Sequence, residues 1–478
     1  MYTLNFLLDH SRDNQHTTQT LSSRGNDKSP AFEDTSAFSQ GAASVWTAAN
    51  CCCTTSDAEI DALRLVRPRR RRYCGGALAG SVPFVHPAIA ISLLSRRSKQ
   101  RDSLFLRQPV AHSCHNLLPQ YSQSPKMSTD AIPTTQTAGW IQDPGPDCVL
   151  QIRNDVAVKQ ASAGEVLVKL EYSGICHSDC HNLAWPGKYT EVPGHEGVGT
   201  VVSLGANVSS ELMGKRVGIK WLWNACQTCS SCKQGKENHC AKQKNTGRNV
   251  WGTLQQYVVA DAQFVTMIPD GVKSEIAAPL LCAGLSLAGG VSKLEPEVKP
   301  GDFVAIVGAG GGLGHIGVQI ASIKGYKVIA IDSGAEKEKL AKEMGAVAFV
   351  DFAKQDVVQA VRELTDGEGA HGVICVAGSE KAYIQAPDLC RNSGVFVCVG
   401  LPPDTFMFPM SPIHIANKGL TIRGSSTGSA KQMDELLQMA VEGKITPKVE
   451  VYDFADSPKI LQELKRYEVT GRKVVRAP

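Results

Sequence analysis

Five apolar residues, Phe303–Val307, run straight into Gly308-Ala309-Gly310-Gly311-Gly312-Leu313-Gly314. Leu313, Ile316, Ile320 and Ile323 then recur at helical spacing up to Gly325, and a second apolar run, Val328–Asp332, ends on an acid. A strand, a glycine turn, a helix and a second strand in that order leave few folds open. The glycines let the backbone approach a pyrophosphate, the helix N-terminus favours its charge, and Asp332, eighteen residues past Gly314, is placed to accept from ribose hydroxyls. Nucleotide binding is the reading, with a merely flexible turn as its alternative. Asp332 would repel a 2′-phosphate, which favours NAD over NADP.

The rhythm continues through Lys337–Met344, Ala348–Phe352, Val357–Leu364, Val373–Val376, Lys381–Cys390 and Val395–Val399. Short apolar runs alternating with amphipathic segments predict an α/β doubly wound parallel sheet with right-handed crossovers. Upstream, Val166, Val168, Leu170 and Tyr172 lie on one face of a period-two strand. Residues 1–126 differ: they are Ser- and Thr-rich, carry Cys51-Cys52-Cys53 and the run Arg69 to Arg72, and show no sustained period. A disordered N-terminal extension is expected there. Met127 offers a second start, and gene-model extension is an open alternative. Ala77–Leu94 is apolar for 18 residues, but Pro83, His86 and Pro87 argue against a membrane span.

Charge is uneven. Residues 1–126 hold 15 Lys+Arg against 9 Asp+Glu, and residues 127–478 hold 35 against 37. A near-neutral body offers no broad footprint for nucleic acid or anionic membrane. The apolar run in MYTLNFLLDHSRD is too short for a signal peptide, so the sixteen cysteines are expected in a reducing compartment, the cytoplasm, where such residues serve metal binding or catalysis.

Cys226, Cys229, Cys232 and Cys240 fall within fifteen residues of polar, loop-like sequence. Two-residue gaps let sulfurs converge on one ion, and four thiolates close a tetrahedron, which describes a structural zinc. A second set is dispersed: Cys176 in Cys176-His177-Ser178-Asp179-Cys180-His181, His195 in Gly194-His195-Glu196-Gly197, and Cys282 in Leu281-Cys282-Ala283-Gly284. Two thiolates and an imidazole would leave a fourth position open, as a catalytic zinc requires. Singly, each of these reads more readily as a structural residue than as a ligand.

Together these residues resemble the zinc-containing alcohol dehydrogenases of the medium-chain dehydrogenase/reductase family, most closely the yeast and fungal ethanol dehydrogenase type. The resemblance runs from about Ile141 to Val475 through YSGICHSDCH, GHEGVG, the four-cysteine lobe, APLLCAG, GGGLG and GVFVCVGLP. It implies a GroES-like β-rich catalytic domain, residues 127–284 and 426–478, and a Rossmann NAD-binding domain, residues 285–425. It makes Cys176, His195 and Cys282 the catalytic zinc ligands, with Glu196 able to coordinate when substrate is absent, and Asp179 a holder of ligand orientation. Ser178 matches the hydroxyl that contacts the alcohol, and His181 the outer end of a proton relay through the cofactor ribose. His177 and Arg472 match pyrophosphate contacts. Gly308, Gly311, Gly312, Leu313, Gly314, Asp332, Lys337, Val399 and Leu401 fall at cofactor positions. The thirteen residues between His181 and His195 are fewer than in the yeast enzymes, and Leu401 stands where those have Met, which unsettles the substrate pocket. Trp185 and Trp221 read as pocket aromatics or as core packing.

The implied activity is a zinc-dependent oxidoreductase, with one catalytic and one structural zinc, interconverting a small primary alcohol and its aldehyde with NAD. A homo-oligomer, dimer or tetramer, goes with the kinship. Two rivals stand beside it: a zinc-free, NADPH-using quinone or enoyl reductase on the same scaffold, and a zinc-ribbon nucleic-acid-binding protein.

Overall fold

Val304, Ala305, Ile306 and Val307 are all buried, because helices cover both faces of the sheet they belong to. That is why this strand reads as an unbroken apolar run rather than an alternating one. The structure, a computed structural model, describes residues 131–184 and 190–478. The expectations for residues 1–126 and for Trp185 lie outside the described residues.

Six parallel strands form the first sheet: β1 (Phe303–Val307), β2 (Lys327–Asp332), β3 (Ala348–Asp351), β4 (Ala370–Cys375), β5 (Cys390–Cys398) and β6 (Thr421–Gly424). Their order across the sheet is β3-β2-β1-β4-β5-β6, so the winding reverses between β1 and β4. A crevice opens at such a reversal, outside the carboxyl ends of the strands, and the glycine turn leaves β1 there. The expected Lys381–Cys390 helix is shorter than its sequence suggested. It spans Glu380–Gln385, tightens into a 3₁₀ turn over Ala386–Leu389, and Cys390 already belongs to β5. Pro387 explains this, since it has no N–H and its ring crowds the preceding turn.

The second sheet has seven strands. Val449–Tyr452, Arg472–Arg476, Glu165–Ile175, Gly197–Leu204, Arg216–Ile219 and Thr266–Met267 follow one another, and Tyr257–Asp261 also pairs with Glu165–Ile175. The chain's last strand runs antiparallel to Glu165–Ile175 with Lys473 opposite Ile175. That register carries Arg472 to the strand end where Cys176 begins the next turn. The architecture is thus α/β, a GroES-like β-rich part joined to a Rossmann sheet.

Between the sheets lies Ser274–Ser292, a 19-residue helical run long and apolar enough by composition to cross a membrane, but 89% buried inside the protein. It is a core helix. Leu280–Gly284 within it is a π-turn. Leu281, Leu285 and Leu287 from this run share one apolar cluster with Val198 of the second sheet, Val304 and Ile306 of the first, and Ile316 of the helix Gly314–Ile323 that covers it. Leu287 is fully buried there, so Leu287→Ala should lower stability by about 2–5 kcal/mol, read as a fall in the urea midpoint of unfolding.

Candidate active site and metal centres

Asp179 organises the first cluster. It lies in the first turn of the His177–Ala184 helix and is fully buried. Its Oδ2 accepts from the Cys176 N–H at 2.9 Å, and its Oδ1 accepts from the Gly194 N–H at 3.1 Å and meets His195 Nδ1 at 3.0 Å. A carboxylate partner places the proton on Nδ1, which leaves the Nε2 lone pair free for a ligand role. That Nε2 points at Cys282 Sγ, 3.2 Å away, and Cys282 Sγ is 4.0 Å from Cys176 Sγ. With a Glu196 oxygen added, the four donor atoms lie within 4.8 Å of one another, all buried. Two loops and the π-turn of the core helix, separated by up to 106 residues, are therefore brought to one point.

Glu196 is seated from both sides. Its N–H donates to Thr253 Oγ1 at 3.2 Å, and Thr253 Oγ1 shares a 2.8 Å hydrogen bond with Ser173 Oγ. Gly174 beneath it leaves no room for a side chain, since a Cβ there would fall 2.0 Å from Glu196 Oε2. Arg472 forms a buried ion pair with Glu196 Oε1, while Oε2 is buried with no partner. Burial pushes the Glu196 carboxyl up to about 7 against the opposing pull of Arg472. The hydrogen bond from Cys282 holds the Cys176 thiol well below its ordinary range, and the same contact pushes Cys282 up. Burial draws His195 down, but the charge and hydrogen bond of Asp179 outweigh it and hold the ring above its usual range. Two sulfurs, an imidazole and a carboxylate with one orphaned oxygen converge closely enough to fit a divalent zinc ion, which takes such sulfur and nitrogen donors.

The second cluster is the four-cysteine lobe. Its sulfurs stand 3.5 Å apart for Cys229–Cys232 and Cys226–Cys240, 3.9 Å for Cys229–Cys240 and 4.0 Å for Cys226–Cys232. Bonds of ~2.3 Å to one tetrahedral zinc give sulfur separations of about 3.8 Å, whereas a disulfide needs ~2.05 Å. Backbone N–H groups of Thr228 and Cys229 hold the Cys226 thiol down to about 5, so it is ready as a thiolate.

At the glycine turn, Gly308 has φ of +90° and its N–H donates to Ile331 O at 2.8 Å, which curls the loop over the end of β2. Asp332 Oδ2 accepts from the Gly310 N–H at 2.9 Å, and Oδ1 accepts from Ser333 N–H at 2.9 Å and Lys337 Nζ at 3.1 Å. Gly311, Gly312, Leu313 and Gly314 complete the turn into the helix Gly314–Ile323. Val399 is buried just past β5, and Leu401 beyond it is 61% exposed. The sequence positions therefore gather as two neighbouring groups, and one side chain joins them. Arg472 pairs with Glu196, and a Cβ on Gly312 would fall 2.9 Å from Arg472 Cδ.

His177 and His181 stand edge to face, with centroids 5.6 Å apart, and Ser178 lies one helical turn before His181. His177 Nε2 is buried with no partner, and burial lowers the affinity of both rings for a proton. Trp221 packs edge-on to His195 at 5.2 Å. It borders a cavity of about 470 Å³ whose walls include Leu281, Leu285, Phe264 and Thr427. Thr253 and Tyr467 were not legible beforehand. Tyr467 stacks on His177 at 4.9 Å, with φ of +58°, but no motif marks it. Thr253 lies in a stretch whose only signal is the short GT pair.

Comparison with known proteins matches residues 162–270 to the alcohol dehydrogenase GroES-like domain and residues 312–442 to the zinc-binding dehydrogenase model. Alcohol dehydrogenase 1 of Emericella nidulans is 38% identical over 354 residues, covering 73% of this chain and 99% of that protein. Among solved structures, the alcohol dehydrogenase of the hyperthermophilic archaeon Aeropyrum pernix aligns with a TM-score of 0.65 at 28% identity, covering 71% of this chain and 99% of that one. A structure described as an NAD-dependent alcohol dehydrogenase gives 0.66 at 28% identity, covering 72% and 100%.

Because Asp179 fixes both the Cys176 backbone and the His195 ring, Asp179→Asn should weaken divalent-ion retention at the buried set about 10–100-fold. Metal content after dialysis against graded chelator measures it, and the four-cysteine lobe should keep its ion.

Proposed function

Because this chain belongs to the zinc-containing alcohol dehydrogenases of the medium-chain dehydrogenase/reductase family, we propose that it transfers hydride between small primary alcohols and NAD. Cys176, His195 and Cys282 would hold the catalytic zinc, with Glu196 as an exchangeable ligand, and Cys226, Cys229, Cys232 and Cys240 a structural one. When bound, zinc supplies a Lewis acid that draws the alcohol pKa toward neutrality, and the nicotinamide supplies the hydride acceptor. The observation that carries the reading is Arg472, which pairs with Glu196 of the metal set and fills the space a Cβ on Gly312 of the turn would need.

The remaining steps belong to the protein. Ser178 Oγ accepts the substrate hydroxyl proton while releasing its own outward, and His181, kept neutral by burial, is the acceptor at the outer end of that relay. Asp179 holds His195 in the tautomer a metal ligand needs. Trp221, edge-on to His195, covers that side of the metal set. At the other end, the glycine turn and the unpartnered His177 Nε2 suit a pyrophosphate. Asp332 suits unphosphorylated ribose, with Lys337 beside it, and Val399 and Leu401 border the nicotinamide end.

We assign residues 127–284 with 426–478 to catalysis and metal binding, and 285–425 to the dinucleotide. A homo-oligomer suits the edge of β6, which pairs with no further strand among the described residues, and the exposed Met407 and Ile413, 82% and 68% accessible. A reducing compartment such as the cytoplasm suits the cysteines, which are free among the described residues. The zinc-free reductase reading is disfavoured by two convergent donor sets.

The test is NADH production at 340 nm by the full chain with a panel of alcohols. Turnover with small primary alcohols and two zinc ions per chain are expected, and Cys176→Ser should bring turnover to background with an unchanged circular dichroism spectrum. Asp332→Ala should shift the NAD-over-NADP ratio of kcat/KM at least about tenfold toward NADP, since removing one charge opposite a phosphate is worth roughly 1–2 kcal/mol.

A further inference from the structure

His315, the second residue of the Gly314–Ile323 helix, is fully buried and uses both ring nitrogens. Nδ1 lies 2.9 Å from Gly311 O, in the glycine turn, and Nε2 accepts from the Lys448 N–H at 3.1 Å. A carbonyl on one side and an N–H on the other permit a single protonation state: neutral, with the proton on Nδ1. Burial agrees, pulling the ring down to about 4. One turn later Gln319 Oε1 accepts from the Thr446 N–H at 2.9 Å. Pro447 between them has no N–H, so both backbone donors of Thr446-Pro447-Lys448 end on this one helix. Lys448 O in turn accepts from the Arg472 N–H at 2.9 Å.

A continuous path results. Gly311 O, the His315 ring, the Lys448 peptide, Arg472 and Glu196 are linked in series from the glycine turn to the metal set. We propose that His315 is a positioning residue for the cofactor: it bridges the glycine turn to the strand pair Val449–Tyr452 and Arg472–Arg476, so that Arg472 meets the turn in a fixed place. This rests on the dinucleotide reading above. The ring touches neither cofactor nor metal, and it acts through Lys448.

Two near-isosteric variants separate its two bonds in the full-length enzyme. His315→Asn places an amide where Nδ1 was and keeps the bond to Gly311 but not the crossing bond. His315→Gln reaches the Nε2 position and keeps the acceptor for Lys448. NADH affinity, titrated by fluorescence, should fall about tenfold in His315→Asn, as for the loss of one buried hydrogen bond, and stay within about threefold of wild type in His315→Gln. Turnover at saturating NAD should change less than about twofold in both. In the cofactor-free protein, hydrogen exchange at the Lys448 amide should quicken in His315→Asn alone.

Equal NADH affinity in all three proteins would overturn the proposal, as would a loss confined to His315→Gln. Equal losses in both variants, accompanied by a common fall in melting temperature, would also overturn it, because they would mark a purely structural ring. Failure of the dinucleotide reading looks different: wild type itself would bind no NADH, while the exchange pattern at Lys448 would persist.

Discussion

Arg472 and Glu196 form an ion pair almost without solvent, 3% and 0% exposed, at the meeting of the two sheets. Burying two charges costs several kcal/mol per ion, and mutual attraction offsets that only with good geometry and further partners. Here the pair is incompletely partnered, since Glu196 Oε2 and Arg472 Nε are both buried with no hydrogen-bond partner, and the surroundings fix the two backbones instead. The Glu196 N–H is held by Thr253, the Arg472 N–H by Lys448 O, and Gly174 clears space for the carboxylate. The antiparallel register of the last strand then follows, since only that register brings residue 472 beside residue 176. Metal set and glycine turn are consequently one electrostatic unit rather than two sites sharing a chain.

Much of this was legible in the sequence because chemistry there is local. The four lobe cysteines lie within fifteen residues, so their convergence needs no knowledge of the fold. The turn from β1 into the helix declares itself through glycine, and Asp332 through the end of an apolar run. Cys282 is the opposite case. Nothing in Leu281-Cys282-Ala283-Gly284 separates it from a core cysteine, and only the packing of the 274–292 helix against Val198 turns it toward His195. The crossing contacts were invisible for a similar reason. His315 occupies an ordinary position on a buried helix, and its partner is a peptide N–H, which every residue but proline carries. Tyr467 acts through ring stacking at a positive φ, which no spacing rule foretells. The Lys381–Cys390 error was different in kind, a propensity reading overruled by one proline.

Asp179 shows how few atoms set the chemistry. One carboxylate receives two backbone donors and one imidazole, so it fixes a strand end, a loop and a ring tautomer together. Its position in the first turn of the His177–Ala184 helix also places it where the helix N-terminus favours negative charge. Ser178 and His181, for which we propose the proton-moving roles, share that helix, so their distance from the metal set is governed by a rigid element rather than by a loop.

The π-turn at Leu280–Gly284 has an evolutionary corollary. Such a turn holds one residue more than an α-helical turn would. Deleting a single codon there would restore regular winding and re-aim the side chains inside the turn, while later ones keep their faces because the wide turn absorbs the extra residue locally. The thiol would leave the donor set while an apolar helix of nearly the same length still filled the space between the sheets. Metal dependence and foldability are thus encoded separably in this segment, and a lineage could shed the ion without rebuilding its scaffold.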